Sequence, residues 1–342
     1  MNSPRSSAPD QRIGGNDKTD IDEKRVAQFL RDPQSYPEPT SQVEVKETHL
    51  SCVYLTDDFV YKLKKALRYD YLDFSTPGAR LRNCETEVAI NSELAPEVYQ
   101  GVVTLAEDQD AGLNLQGRGR ALDYLVKMRR LPDDDNLEYQ LAQNGPDPDK
   151  VSAAARRLAR FYMSHAVDGP VRPESLQSDL EARVEELNSL PVDCGNDLSQ
   201  LRDATLALLR DNWQVVGDRR LKDVHGDLRP QHVYLGPEPV FIDRLEFNAR
   251  LRLMDPLEEL SFFAMECERH GNRWVGERFI GVYLELAGET RAQPLIALYT
   301  GYRALLWAVL SARHLDRNDH RKPWADISRE YLRLGLKTAT NP

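Results

Sequence analysis

A chain of 342 residues exceeds what one small hydrophobic core organises, so two lobes are expected. With 41% hydrophobic and 29% charged residues the composition is that of a globular protein and excludes a fibrous or mainly disordered one. The formal net charge of −10 excludes a nucleic-acid partner held by a global positive field.

The four cysteines, Cys52, Cys84, Cys194 and Cys267, are scattered and form no Cys-x-x-Cys pair. That spacing points to a reducing, cytoplasmic compartment and away from a disulfide framework or zinc knuckle. Residues 1–18 are Ser-, Pro-, Asp- and Gly-rich with little that is apolar, which predicts a disordered leader. They lack the apolar core of a signal peptide. The most apolar stretch, 294–315, is interrupted by Tyr299, Thr300, Gly301, Tyr302 and Arg303, so it is expected to fall short of a membrane span, and no membrane partner is expected.

In chain order, Lys24 to Arg31 places Val26, Phe29 and Leu30 on one helical face, and Pro33 ends the helix, which is expected to pack on the outside of the next elements. From Val43 the period changes to two: VEVKET, SCVYL and FVYKLKK read as strands, with Thr56-Asp57-Asp58 as the turn between the last two. Gly78 to Leu94 reads as a helix closed by Pro96, and VYQGVVTL and DYLVKMRRL complete a sheet. After Pro132 the helical period dominates, with helices expected over 149–167, 174–187, 198–212, 256–270, 272–286, 293–314 and 324–334. One hairpin, 233–235 with 240–243 around Gly236-Pro237-Glu238-Pro239, is the only β signal expected there. The apolar positions from Tyr299 to Trp307 follow helical spacing and read as core.

Directly before that hairpin lies the most polar cluster of the second half, VHGDLRPQHVYLGPEPVFIDRLEF, with His225, Asp227, Arg229, His232, Asp243 and Glu246. A short loop entering a hairpin can converge such side chains on one pocket. Phosphoryl transfer needs that convergence: one carboxylate for the acceptor hydroxyl, another for the metal that bridges the phosphates, and a cation to cradle them.

HGDLRPQH followed by VFID resembles the catalytic loop and metal-binding strand of the aminoglycoside phosphotransferase and kinase-like superfamily, in particular a subgroup of predicted small-molecule kinases. The strings ETHLS, VYKLKK, YLVKMRRLP, HGDLRP and LEFNARLRLMDP are similar to that subgroup in the same order, so the resemblance covers about residues 43–315. It implies an α+β, bilobal protein-kinase-like fold: a β-rich nucleotide-binding lobe over 19–131 and a mainly helical catalytic and acceptor lobe over 132–342. It implies an enzyme that transfers the γ-phosphoryl group of ATP to a hydroxyl of a small molecule, with Mg2+ or Mn2+.

Residue by residue, the resemblance implies that Asp227 is the catalytic base and Asp243 the principal metal ligand. Lys62 matches the lysine that grips the phosphates, and Glu87 its ion-pair partner. Met128, Arg129 and Arg130 match the hinge that passes the adenine, and Asp255 an acidic position that orders the catalytic loop. His225 is expected to hold that loop, and Arg229 belongs to the same cluster. Strand alternation puts Lys62 and Lys64 on one face and does not choose between them, although distance from the hairpin turn favours Lys62. Glu85 competes with Glu87 on the helix.

Departures from the family pattern are specific. No Gly-rich loop precedes Lys62; the turn Glu47-Thr48-His49-Leu50-Ser51 stands there, with the Thr48 and Ser51 hydroxyls as partial substitutes. His232, the expected second metal residue beside Asp243, occupies a position where protein kinases have an Asn, whereas magnesium prefers oxygen: either His232 acts through water, the metal differs, or one metal site is missing. Glu246 is either a metal or acceptor-site carboxylate or the partner of Arg250 or Arg252. The run Asp133-Asp134-Asp135 either caps a helix starting near Asn136 or faces a cationic acceptor. Two rivals remain: a pseudokinase that binds nucleotide without turnover, and a metal-dependent hydrolase built from His225, Asp227, His232 and Asp243.

Overall fold

A computed structural model describes residues 23–69, 71–290, 292–316 and 322–340; the leader expected over 1–18 lies outside them. The chain divides into two compact units. One comprises the residues up to Asp133 together with Phe241–Ala249, and the other Asp134–Val240 together with the residues from Arg250. The sequence predicts a single boundary at 131/132; the structure instead returns nine residues, Phe241–Ala249, to the first unit.

The first unit opens with α1 (Glu23–Arg31), then β1 (Glu44–Glu47), β2 (Ser51–Leu55) and β3 (Phe59–Lys64). A two-stranded hairpin of β4 (Arg68–Tyr69) and β5 (Leu72–Asp73) precedes α2 (Pro77–Asn91). The unit's sheet is completed by β6 (Tyr99–Asp108), β7 (Gly112–Asn114) and β8 (Arg120–Arg129), in the antiparallel order β1-β2-β3-β8-β6-β7. Successive side chains of a strand face opposite ways. Phe59, Tyr61 and Leu63 of β3 therefore join a core with Tyr54, Leu105 and Leu125, while Lys62 and Lys64 face the other way. Val26 and Leu30 of α1 are buried in that core, so the helix is part of the core and not an outer addition. Asp32 stops it by accepting a hydrogen bond from the Gln34 N–H at 2.9 Å, just where Pro33 forbids continuation.

Helix α2 carries an unusual stripe. Its buried positions are Arg80, Cys84, Glu87 and Asn91, spaced four, three and four residues apart, so one helical face is buried and largely polar. Such a face is stable only if each group is paired. Arg80 forms a bidentate pair with Asp123 of β8, both contacts at 2.8 Å, and donates to the Phe74 carbonyl. Thr76 caps the helix by accepting from the Ala79 N–H, with Pro77 at the first turn.

The second unit contains α3 (Leu137–Ala142), α4 (Pro148–Ser164), β9 (Ala166–Pro170), α5 (Pro173–Ser189), α6 (Asp197–Asp211), α7 (Trp213–Asp218) and β10 (Arg220–Asp223). The hairpin β11 (Val233–Tyr234) and β12 (Val240–Phe241) comes next, its last residue, Phe241, beginning the segment returned to the first unit; then follow β13 (Leu253–Met254), α8 (Pro256–Arg269), α9 (Arg273–Ala287), α10 (Gln293–Asp316) and α11 (Trp324–Thr340). The expected hairpin is not the only β structure: β13, β10 and β9 form a three-stranded sheet whose members are too short and too polar to show a period. Asn136 alone caps α3, accepting from the Tyr139 N–H; Asp133–Asp135 form their own 3-10 turn. Helix α10 is, by length and composition, apolar enough to cross a membrane, contrary to the sequence-based expectation. However, 78% of its apolar window is buried inside the protein, as in the core helix of a globular unit.

Candidate active site

In the first unit, the face of β3 turned away from the core meets α2 at a network of charges. Lys62 Nζ donates to Glu87 Oε1 at 2.9 Å and to Asp243 Oδ1 at 2.6 Å. Lys64 Nζ donates to Glu87 Oε2 at 2.5 Å and to Glu246 Oε1 at 2.6 Å. Sequence leaves Lys62 and Lys64 as rivals for Glu87; the structure gives each of them one oxygen of the same carboxylate. Glu85, the competing helix position, is exposed. Glu246 pairs with Lys64, not with Arg250 or Arg252, and Arg252 binds Asp223 instead at 2.7 Å.

Three carboxylates and two ammoniums share this buried region, and the shifts follow from that imbalance. Burial works against the Lys62 charge, but Asp243 and then Glu87 outweigh it and hold the ammonium well above its usual range. Burial likewise opposes ionisation of Glu87, yet Lys62 and Lys64 keep its carboxyl below the ordinary value. Glu246 bears the excess: burial, then repulsion from Glu87, pushes its carboxyl above the ordinary value.

Asp243 is held in an unusual conformation. Its φ of 61° is the only positive value at a non-glycine position among the described residues. Asp tolerates the left-handed region better than most residues, but it persists there only when neighbours over-determine it. Here they do. Asn91, at the end of the polar stripe, accepts from the Arg244 N–H at 2.7 Å and donates to the Arg244 carbonyl at 3.2 Å. Tyr99 accepts the Asp243 N–H at 3.0 Å. A register shift between Tyr99 and Gly101, where Gly101 has φ of 134°, marks a bulge beside Tyr99 on β6. Asn91 and Tyr99 are not among the residues that sequence singles out. The one signal available for Asn91 is its position one turn after Glu87; for Tyr99 there is none.

Other expected positions lie in the same unit. The β1–β2 turn is closed by Thr48, whose hydroxyl accepts from the Ser51 N–H at 2.9 Å and donates to the Ser51 carbonyl at 3.1 Å. That hydroxyl is committed to the turn, and Ser51 is buried opposite Lys64. Met128 is buried at the end of β8, opposite Val60 and Tyr99. Arg129 donates its N–H to the Val98 carbonyl, and Arg130 binds the Thr56 carbonyl through Nη1 at 2.8 Å.

In the second unit, β10 leads into His225-Gly226-Asp227. Gly226 has φ of 92°, a conformation that a side chain would strain. Glu259 of α8, fully buried, accepts the His225 N–H at 3.1 Å and the Gly226 N–H at 2.5 Å, and also the Tyr162 hydroxyl. Burial raises the Glu259 carboxyl despite those three donors. His232 Nδ1 donates to the Asp227 carbonyl at 2.8 Å, fixing the backbone of the loop. Arg229 Nε donates to Asp227 Oδ1 at 3.2 Å while its guanidinium lies 3.8 Å from the Trp307 ring, so Trp307 is more than core filling. Asp255 does not touch the loop through any of these bonds. It is buried, caps α8 at the Leu257 N–H, pairs with Arg219 at 2.6 and 2.9 Å, and accepts from Tyr299. Loop anchoring falls to Glu259, one turn further along α8, a role that sequence spacing does not reveal.

Magnesium takes oxygen ligands and retains waters or phosphates in place of a full protein cage. Among the described residues no three His, Cys, Asp or Glu side chains are grouped as a metal cage. Asp243, whose side chain is 42% exposed and already holds a cation, the Lys62 ammonium, fits a metal carried in on phosphates.

No protein-family model matches the chain. Uncharacterized proteins of Mycobacterium tuberculosis and Mycobacterium bovis are 28% identical to it over 281 residues, 78% of this chain. The match spans 54% of their length, so the chain covers about half of these curated relatives. Among solved structures, a choline/ethanolamine kinase family protein from Mesorhizobium loti matches with a TM-score of 0.56 at 16% identity, covering 93% of this chain and 99% of that one. Choline kinase LicA from Streptococcus pneumoniae matches at 0.54, with 16% identity and coverage of 92% and 99%. An aminoglycoside phosphotransferase in complex with GDP and kanamycin matches at 0.53, with 16% identity and coverage of 93% and 99%. The chain has the kinase-like α+β fold of these solved structures.

Proposed function

We propose that this protein transfers the γ-phosphoryl group of ATP to a hydroxyl of a small molecule, with Mg2+, or Mn2+ in its place, as the metal. The observation that carries the reading is the Lys62–Glu87–Asp243 chain of contacts, in which a lysine bridges a buried helix carboxylate and a strained, partly exposed one. In this reading Lys62 neutralises the phosphates and Asp243 holds the metal. Asp227 orients and accepts the proton of the acceptor hydroxyl, as a positioned carboxylate near its target does. His232 positions Asp227 through its backbone carbonyl, a hydrogen bond of the kind that also orients a metal-binding imidazole, and supports the metal beside Asp243 in this reading. Met128, Arg129 and Arg130 line the nucleotide base. The fold neighbours, one bound to GDP and one to AMP, support a nucleotide site without choosing the base. A cytoplasmic setting accords with four cysteines that are all free thiols.

The test is a panel of hydroxyl-bearing metabolites offered with ATP or GTP and Mg2+, read by mass spectrometry for a phosphorylated product. Product formation that drops about 10²-fold or more in Asp227→Asn supports the reading. Nucleotide binding by thermal shift with no product from any acceptor supports the pseudokinase instead.

A further inference from the structure

We propose that Arg229 selects the acceptor, and that the acceptor carries an oxyanion, a carboxylate or a phosphate monoester, beside the hydroxyl that Asp227 receives. Trp307 is the positioning residue that holds the Arg229 guanidinium ready for it. That the bound molecule is an acceptor rests on the phosphotransfer reading above; that an oxyanion binds Arg229 rests on contacts within the second unit alone.

An arginine presents its N–H donors in one plane, as a fork. Arg229 commits one of them: Nε donates to Asp227 Oδ1 at 3.2 Å, and neither Nη atom has a hydrogen-bond partner among the described residues. Other arginines of the unit are fully engaged. Arg219 places Nε and Nη2 on Asp255 and Nη1 on Glu289, and Arg269 gives Nη1 to Glu266 and Tyr331 and Nη2 to Glu330. The Nη atoms of Arg229 are not sealed from solvent either, for the side chain is 19% exposed and neither atom is a buried one without a partner. What holds the group is aromatic. The guanidinium lies 3.8 Å from the Trp307 ring and 5.6 Å from that of Phe262, and these two rings stack on each other at 4.8 Å with 6° between their planes. Trp307 thus covers a face of the guanidinium and Asp227 takes its Nε, so the edge formed by the two Nη atoms is what remains for a ligand. Two parallel N–H groups on a fixed plane match the two oxygens of a carboxylate or phosphate. An ammonium is repelled there, and a neutral hydroxyl oxygen serves the fork less well. Because Nε of the same group touches Asp227, an oxyanion on the Nη edge lies one guanidinium width from that carboxylate, a span that a small hydroxy acid or polyol phosphate bridges. Asp227 is 36% exposed and open to the hydroxyl. With a net charge of −10 the protein as a whole does not draw an anion in, so the local fork has to supply the attraction.

Titration of the nucleotide-free full chain with four probes on one three-carbon frame, followed by ligand-observed NMR, tests this without any turnover. The probes are glycerol, glycerate, glycerol 3-phosphate and 3-amino-1,2-propanediol. At least one of the two anions is expected to bind about tenfold or more tighter than glycerol and the amine, and the better of the two tells a carboxylate from a phosphate. Arg229→Met is expected to lose about tenfold or more of that affinity, and Arg229→Lys, which keeps the charge and loses the fork, about threefold or more. Trp307→Leu leaves charge and fork intact and removes only the platform; it is expected to weaken the anion about threefold, and Trp307→Tyr, which keeps a ring, to recover most of that. Trp307→Met replaces the leucine variant if that one does not fold, with the same weakening expected. Binding of ATP, read by thermal shift, is expected to be the same in Arg229→Met as in wild type; a loss there assigns Arg229 to the nucleotide phosphates and overturns the inference. Absence of anion binding, equal binding of all four probes, or an anion affinity that Arg229→Met leaves unchanged also overturns it, and an affinity unchanged in the Trp307 variant overturns the role of that ring. A chain that binds an anion through Arg229 but phosphorylates nothing loses the phosphotransfer reading and keeps the site; a chain that phosphorylates only neutral or amine acceptors keeps that reading and loses the site.

Discussion

At the residue scale, Asp243 concentrates several demands. It offers a partly exposed carboxylate, accepts an ammonium, and adopts a left-handed backbone that Asn91 and Tyr99 enforce. Backbone strain at a functional position persists because its surroundings leave no alternative. The cost can be read from a pair of substitutions that discard the charge alike. Asn tolerates the left-handed region, whereas Ala pays about 1–2 kcal/mol there. Asp243→Ala is therefore expected to be less stable than Asp243→Asn by about that amount in urea denaturation. Equal midpoints in the two variants mean that residue 243 relaxes and stores no strain.

Among the elements, α2 shows how a helix can be well fixed without an apolar face. Arg80, Cys84, Glu87 and Asn91 occupy its buried stripe, and three of the four make charged or bidentate contacts to other segments of the first unit. Removing one member of a buried pair strands its partner at a cost of about 3–5 kcal/mol, while replacing both with apolar groups is far milder. Arg80→Met is expected to destabilise by about that much, and Arg80→Met with Asp123→Leu to recover most of it. A double variant as unstable as the sum of the two singles refutes the pairing as the reason for the stripe.

At the scale of the whole molecule, the first unit is not a contiguous stretch of chain. Phe241–Ala249 carries Asp243, Arg244 and Glu246, the partners of Lys62, Asn91 and Lys64. A fragment of residues 23–133 leaves those groups without them. It is expected to unfold at a lower temperature than the first unit does within the full chain, and to regain part of its stability when a peptide of residues 240–250 is added. Circular dichroism melting measures both, and no response to the peptide refutes the idea that this segment completes the unit.

What the sequence determined by itself is what repeats or recurs locally. Alternation in FVYKLKK showed the strand and its two-lysine face, periodicity showed most helices of the second unit, and the ordered motifs marked Asp227, Asp243, Lys62 and Glu87 as candidates. It did not show the sheet of β9, β10 and β13, whose strands are too short to carry a period. Alternation alone did not separate Lys62 from Lys64; distance from the turn and the family resemblance favoured Lys62. Only tertiary structure revealed that the two share Glu87, because a carboxylate has two oxygens and the packing of α2 against the sheet brings both ammoniums to it. The same holds for Asn91, Tyr99 and Glu259: each acts through backbone groups brought to it by the fold, over 153, 144 and 34 residues of separation, and a side chain that reads a distant backbone leaves no trace in its neighbours.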